Sequence, residues 1–407
     1  TIFVSNHAAS FMDPLALASL RRPIIFFMTR SDVFKAWLKP IFWSLHMLPI
    51  YRQHDGEEMR SKNEAIFQKC SRVLYYNRNL LIFGEGFTDD VFIRRLKPLK
   101  KGAVRIGFSS LKRTGWKKKV YISAVGCNYS DPNEIRSDLL ISHSDKICLN
   151  DYRKEYEENP NKVAAELTKR LEILMQQQIT HVENKENAPF HENIMIITRR
   201  GMNARNFDRS ISLKKRWEYS RGLANWMNIQ DIDENAELNK LKNQAEDYFK
   251  LLKENKVEER DVFWRKNNEK GSRLGDTSKL VLLFPLALLG AIHCGIPYIL
   301  IKRYVERTFK RKVFWSSVKL IIGQFVLAGI NIPSIFAFYY LVYPSWWLAF
   351  AYFLSISLTG FAAYMWMRSW QSFQRKGALI NTDLASILNK REALEIEINR
   401  LVPSKFD

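Results

Sequence analysis

The chain has 407 residues, with 63 Lys+Arg against 42 Asp+Glu and a formal net charge of +21. Apolar residues make up 46% and aromatics 13%, which excludes intrinsic disorder; four scattered cysteines without a C-x-x-C pair exclude a disulfide-stapled secreted module. The thiols are expected to be reduced and facing a cytosol, and the surplus charge implies an anionic partner: nucleic acid, membrane surface or phosphorylated substrate.

The chain opens at Thr1 without a Met, so the natural start is expected to be missing. Short apolar runs at Ile2–Ser5, Pro23–Phe27, Asn79–Phe83 and Val120–Val125 predict strands buried on both faces. Pro14–Leu20 and Lys62–Tyr75 predict helices between them. This alternation predicts an α/β domain, a mostly parallel sheet with flanking helices, over residues 1–182. From Asn161 the pattern turns helical, and Leu238, Leu241, Ala245, Phe249 and Leu252 mark one face of a charged helix. Residues 183–275 are therefore expected as a helical region, 276–370 as a membrane region and 371–407 as an amphipathic helix. That last helix places Leu384, Ile387, Leu388, Leu394 and Ile398 at helical spacing and is expected to serve packing or homo-oligomerisation.

Leu280 to Ile301 is 22 residues without a charge, and Val313 to Met367 is 55 residues with Lys319 as its only charge. A helix needs about 20 such residues to cross a bilayer core of about 30 Å. Two spans, Leu320–Tyr343 and Trp346–Trp366, are predicted around the Tyr343-Pro344-Ser345 turn, with Trp and Tyr at the interfaces. A buried helical core of a large soluble protein is the alternative. The loop Lys302–Lys312 carries six basic residues against Glu306 and is expected in the cytoplasm. Pro285, Gly290, Gly295 and Pro297 interrupt the first stretch, so a re-entrant or broken-helix hairpin is preferred there over a full crossing.

Three segments could carry chemistry. In Asn6-His7 followed by Asp13, a strand delivers His7 to a turn, and Asp13 on the next helix can reach back to one ring nitrogen. The other nitrogen is then left as a general base. In Phe83-Gly84-Glu85-Gly86 with Thr88, a strand ends in a turn that exposes a carboxylate and lets a ligand approach the backbone. Tyr51-Arg52 follows a strand-like run and offers a guanidinium suited to phosphate. Each has a bland reading as a polar turn or a solvated charge. Phe92–Lys119 holds eleven Lys/Arg and no acid, and could face anionic lipid or the phosphate of a substrate, with Lys101 nearest the site.

In this order the motifs resemble the phospholipid/glycerol acyltransferase family. Asn6-His7 with Asp13 matches its first block, Tyr51-Arg52 its second, Phe83-Gly84-Glu85-Gly86 with Thr88 its third, and Val125-Gly126-Cys127-Asn128-Tyr129 its fourth. Five residues separate His7 from Asp13, as in the glycerol-3-phosphate and dihydroxyacetone-phosphate subgroup; Gly84 stands where the family usually has Pro, and no Arg follows the third block. The resemblance implies a membrane-bound O-acyltransferase with His7 as base, Asp13 as its partner, and Asn6, Arg52, Glu85, Gly86, Thr88 and Lys101 around a phosphorylated glycerol acceptor. The implied donor is acyl-CoA or acyl carrier protein, with neither metal nor organic cofactor and no nucleic-acid partner. Lysophosphatidate acylation is the nearest alternative; a catalytically silent lipid-binding scaffold comes from another class.

Overall fold

The apolar runs lie at the centre of one sheet in the computed structural model, which describes residues 1–19, 24–30, 39–50, 59–266, 273–379 and 384–406. The strands are β1 (Ile2–Ser5), β2 (Ile25–Arg30), β3 (Met47–Ile50), β4 (Asn79–Phe83), β5 (Tyr121–Tyr129), β6 (Leu139–His143) and β7 (Ile147–Cys148). Their order is β3-β2-β4-β1-β5-β6, with β7 also on β5. The first five are parallel, and β6 and β7 run antiparallel to β5. The strand expected over Pro23–Phe27 is Ile25–Arg30, three residues longer at its C-terminal end; Pro23 lies outside the described residues. The last expected strand continues four residues beyond Val125.

Among the described residues this sheet is accompanied by α1 (Met12–Ser19), α2 (Lys39–Ser44), α3 (Met59–Tyr75), α4 (Gly102–Arg113), α5 (Arg153–Glu158) and α6 (Pro160–Gln178). Strand alternation divides the core in two. Ile2, Val4, Leu80, Ile82, Ile122 and Ala124 pack with Phe108 and Leu111 of α4 and Leu167 and Leu171 of α6. Phe3, Leu81, Val125, Cys127 and Tyr129 face the other way, towards Leu17 of α1. Successive side chains thus serve opposite layers, which is why these strands read as continuous apolar runs. The four cysteines are free thiols.

The chain divides into two compact units, one of Thr1–Ala188 with Ile211–Ile229, the other of Pro189–Ser210 with Gln230–Asp407. Helix Leu213–Ile229, placed by sequence in a separate helical region, joins the first unit; Arg216 Nη2 donates to Asp138 at 2.8 Å, and Asn228 Nδ2 donates to the His181 carbonyl at 2.8 Å. In the second unit, Asn235 caps Ala236–Glu254 by accepting from the Glu237 and Leu238 amides. The C-terminal helix Leu384–Leu401 buries Ile387, Leu394 and Ile398 within this unit. Its fully buried Arg391 pairs with Glu259 at 2.7 Å, and the same carboxylate accepts from Tyr248 Oη. Three of the apolar side chains expected to serve packing or self-association thus pack within the chain.

Arg273–Thr308, Lys312–Val342 and Trp346–Ala378 are each long and apolar enough to cross a membrane. Their large side chains point outward, with Leu341 and Trp347 each 84% exposed, the reverse of a soluble core. The protein is membrane-associated. The re-entrant hairpin expected over Leu280–Ile301 is not formed. Gly290 (φ −65°, ψ −27°), Gly295 (φ −69°, ψ −52°) and Ile296 (φ −61°, ψ −50°) are all helical, and a π-helical turn at Ala291–Gly295 carries the helix through. Such a turn absorbs an irregularity in the hydrogen-bond ladder without reversing the chain.

The flanks of these helices constrain their topology. Glu259 precedes the first helix and Arg391 follows the third, yet they form one buried ion pair. Asp276 at the start of the first helix likewise holds Lys376, at the end of the third, at 2.7 Å. Three complete crossings would put these partners on opposite sides of the bilayer, so the number of complete crossings is even. In sealed vesicles, cysteines introduced at exposed Lys253 and Lys390 in a background lacking the native cysteines should react with an impermeant maleimide from the same side. Labelling from opposite sides would overturn the even count.

Candidate active site

The C-terminal ends of the central parallel strands converge on the first motif. Asn6, just beyond β1, accepts from the Cys127 amide at 2.8 Å and donates to the Cys127 carbonyl at 3.1 Å. This side chain bolts the turn onto β5, and Asn6 also lines the cleft that opens beside His7. His7 follows, with its ring stacked on Phe83 at 4.1 Å between centroids. The chain then turns through Ser10, whose φ of 53° is left-handed, before entering α1. That turn accommodates the five-residue spacing and brings Asp13, in the first turn of α1, back under the imidazole.

His7 Nδ1 and Asp13 Oδ2 are 2.9 Å apart, and the same oxygen accepts from the Ala9 amide at 2.9 Å. Asp13 is wholly buried, and the His7 side chain is 21% exposed. A carboxylate accepts, so Nδ1 carries the hydrogen and Nε2 holds a lone pair. The pair can therefore take up a proton at a partly open surface while keeping one tautomer.

Glu85 comes from the turn after β4. Its Oε1 accepts from the His7 amide at 3.4 Å, and its Oε2 pairs with Lys97 Nζ at 3.3 Å. Burial pushes the Glu85 carboxyl above its ordinary range, while Lys97 and His7 oppose that shift. Lys97 also meets Asp89 at 3.2 Å and donates to the Phe87 carbonyl at 2.9 Å. Asn6, His7, Glu85, Asp89, Arg95 and Lys97 line one small open cleft.

The third block's glycines serve the backbone. Gly86 has φ 76°, and its amide, which the sequence reading aimed at the reaction centre, donates to the Phe83 carbonyl at 3.2 Å to close the turn. Gly84 donates its N–H to the Ser5 carbonyl at 3.2 Å, and a Cβ there would lie 2.8 Å from Leu99 and Val4 side chains. Proline would lose that bond and collide, so this chain's packing demands the departure from the family pattern. Thr88 is buried in the same turn.

The basic run does not form one patch. Lys97 lies at the site edge of the sheet, and the Lys100 amide donates to the Gly84 carbonyl at 2.9 Å. The 12-residue helix α4 then carries the chain about 18 Å to the opposite edge. There Lys118 sits over the Tyr75 ring, just before the sheet is re-entered at β5. Arg94 is buried, donating to the Tyr129 and Ser130 carbonyls at 2.6 and 2.9 Å. Arg95 is the exposed guanidinium of the cleft. Lys101, expected nearest the site, is exposed at the start of α4 and is not among the residues lining this cleft. Tyr51 and Arg52 lie outside the described residues. The structure brings the expected Asn6, His7, Asp13 and Glu85 together and adds Lys97 and Arg95, which in the sequence are visible only as members of an undivided basic run.

The fourth block also resolves by strand alternation. Asn128 holds the end of α6, donating to the Gln178 carbonyl at 2.9 Å and accepting from the Thr180 amide at 3.2 Å. Gly126 faces the same carbonyl, with no room for a Cβ. Cys127 and Tyr129 face α1 instead.

Residues 1–127 match the family model described as Acyltransferase. The fold and this match define the class: the N-terminal domain belongs to the phospholipid/glycerol acyltransferase family, and the protein is an acyltransferase enzyme. It is, more particularly, a membrane-associated acyltransferase of lipid synthesis. No curated protein and no solved structure matches the chain.

Replacing Asn6 by Ala leaves a buried amide and carbonyl of Cys127 without their side-chain partner. At about 1–3 kcal/mol for each unsatisfied group, Asn6→Ala should lower stability by about 2–4 kcal/mol. Thermal unfolding in detergent checks this; an unchanged transition with only a raised KM would assign Asn6 to the substrate instead.

Proposed function

We propose that this acyltransferase moves a fatty acyl group from acyl-CoA or acyl carrier protein to a hydroxyl of glycerol-3-phosphate or dihydroxyacetone phosphate. The observation that carries the reading is the His7–Asp13 contact at 2.9 Å, which leaves Nε2 as a base at the mouth of a cleft. His7 Nε2 takes the proton of the acceptor hydroxyl as its oxygen attacks the thioester carbonyl. Asp13 stabilises the imidazolium that forms. The tetrahedral intermediate collapses, the C–S bond breaks, and the thiolate leaves with the proton returned by His7.

The step needs no acyl-enzyme. Cys127 is the thiol nearest this region, but it is buried and its pKa is raised well above the usual range, chiefly by desolvation. Arg95 and Lys97 supply positive charge beside His7 for the acceptor phosphate, and Arg52 is retained as a phosphate ligand from the second block. The five-residue spacing between His7 and Asp13 favours the glycerol-3-phosphate subgroup over lysophosphatidate acylation. We place the catalytic domain on the cytoplasmic side, where acyl-CoA and acyl carrier protein are found. Anionic lipid is the proposed partner of the remaining surface charge.

Purified protein with labelled acyl-CoA, offered glycerol-3-phosphate, dihydroxyacetone phosphate and lysophosphatidate in turn, tests the reading. Turnover on lysophosphatidate alone would move the acceptor; a protein silent on all three that still bound anionic vesicles would be a scaffold. His7→Ala should cost about 10²–10⁴-fold in kcat with the protein folded and membrane-bound. Asp13→Asn should be similarly damaging, because it favours the wrong tautomer.

Arg95→Ala should raise KM for the phosphorylated acceptor about tenfold or more, since a hydrogen bond to a charged group contributes about 1.5–3 kcal/mol. A rise confined to the acyl donor would assign Arg95 to the donor's phosphates.

A further inference from the structure

The His7–Asp13 pair has a third member on the sheet. Asp13 uses one carboxylate oxygen twice, for the His7 ring and for the Ala9 amide. Its other oxygen, Oδ1, is buried and has no hydrogen-bond partner among the described residues. The Tyr129 hydroxyl is in the same condition, buried and unpaired, on a residue only 5% exposed. Tyr129 lies on the face of β5 that packs towards α1, the helix carrying Asp13. One orphan is an acceptor with a full negative charge; the other is a donor held in a largely apolar layer. Leaving both unpaired in a dry interior is costly, and the Tyr129 phenol and the Asp13 carboxylate lie close enough to act on one another.

We propose that Tyr129 is a positioning residue whose hydroxyl donates to Asp13 Oδ1 and so fixes the carboxylate that orients His7. The proposal rests on the His7–Asp13 reading given above. Asp13 is, after burial, the largest cause raising the Tyr129 phenol, so the hydroxyl stays protonated as a donor. The bond matters most when His7 carries the acceptor's proton. With Oδ1 held, the carboxylate can neither turn away from the ring nor draw the proton across from Nδ1. Arg94 anchors the same strand end through the Tyr129 carbonyl, so the phenol sits on fixed backbone.

The measurement is the pH dependence of kcat in full-length Tyr129→Phe. Among the described residues, the charged and titratable groups facing the His7–Asp13 pair are Glu85, Asp89 and Lys97 from the segment after β4, Cys127 and Tyr129 from β5, and Arg95 across the cleft. Only the hydroxyl of Tyr129 changes in this variant. Losing its donor makes Asp13 more basic and raises the proton affinity of His7, so the acidic limb of the profile should move to higher pH. kcat should fall about tenfold with KM unchanged, the size expected for losing a hydrogen bond to a charged group. Fluorotyrosine introduced at position 129 keeps the hydroxyl, makes it a stronger donor and should move the limb to lower pH. That variant decides the matter if the Phe variant does not fold. Profiles that superimpose on the wild type in both variants would overturn the proposal. His7→Ala run beside them separates the two failures: an inactive His7→Ala with unmoved Tyr129 profiles sinks only the Tyr129 role, whereas an active one sinks the base assignment and this proposal with it.

Discussion

The position of His7 depends on a side chain that does no chemistry. Asn6 pairs with both backbone groups of Cys127, making the turn after β1 part of the ladder at the end of β5. A strand end is ordinarily free to fray; here it is pinned on the side where the chain must leave for α1. With the backbone pinned and the His7 amide held by Glu85, the imidazole has one place to lie, between the Phe83 ring and the Asp13 carboxylate. Precision of this kind comes cheaply at the centre of a parallel sheet, where β1 has β4 on one side and β5 on the other. β4 ends level with Ser5 while β5 runs on past it, and each delivers one partner, Glu85 just after β4 and Cys127 from β5.

The charge around the site follows from the same layout. Glu85 is a buried carboxylate, and such a group tends to neutralise itself by taking a proton. Lys97 meets it at 3.3 Å and favours its charged form, while Asp89 draws on the same ammonium. The lysine is thus partly neutralised before any substrate arrives, and Arg95 is left as the exposed guanidinium of the cleft. Arg94, one residue earlier, points into the fold and holds β5. Two adjacent arginines therefore have opposite fates, because the chain bends at Arg94, where the Arg95 amide donates to the Ile93 carbonyl at 2.9 Å.

What was legible in the sequence had local causes. Four apolar runs bounded by polar turns gave away the central strands, and His7 with Asp13 is a contact across one turn. Glu85 follows from a strand that ends in Gly-Glu-Gly. The missed features have distant causes. Tyr129 meets its proposed acceptor across a sequence separation of more than a hundred residues, and no period reports that. β6 and β7 went unread because one is only half-buried and the other has two residues. The division of the basic run is invisible in composition, since α4 separates its two ends in space without interrupting the charge pattern. Pro285, Gly290 and Pro297 were sound signals of irregularity, but a π-helical turn answers them as well as a chain reversal does.

The membrane helices show the same rule with the solvent inverted. Their exposed faces carry leucine, phenylalanine and tryptophan, and the polar groups turn inward to one another. His293 has both ring nitrogens engaged, Nδ1 with Asn331 at 2.9 Å and Nε2 with Tyr352 at 3.0 Å, each partner on a different helix. Three polar side chains that would be costly singly in hydrocarbon satisfy one another and tie the three helices at one level. Close approach elsewhere is allowed by Gly290, which has no room for a Cβ against the backbone at Thr359. The outer end is closed by ion pairs, Asp276 with Lys376 and Glu259 with Arg391, where the second has little water to weaken it. A charge pair buried this deeply adds little net stability over an apolar contact, but it strongly disfavours any arrangement that separates its members. Arg391 and Glu259 therefore act on topology: every fold of this unit that leaves the two flanks apart must strand a charge.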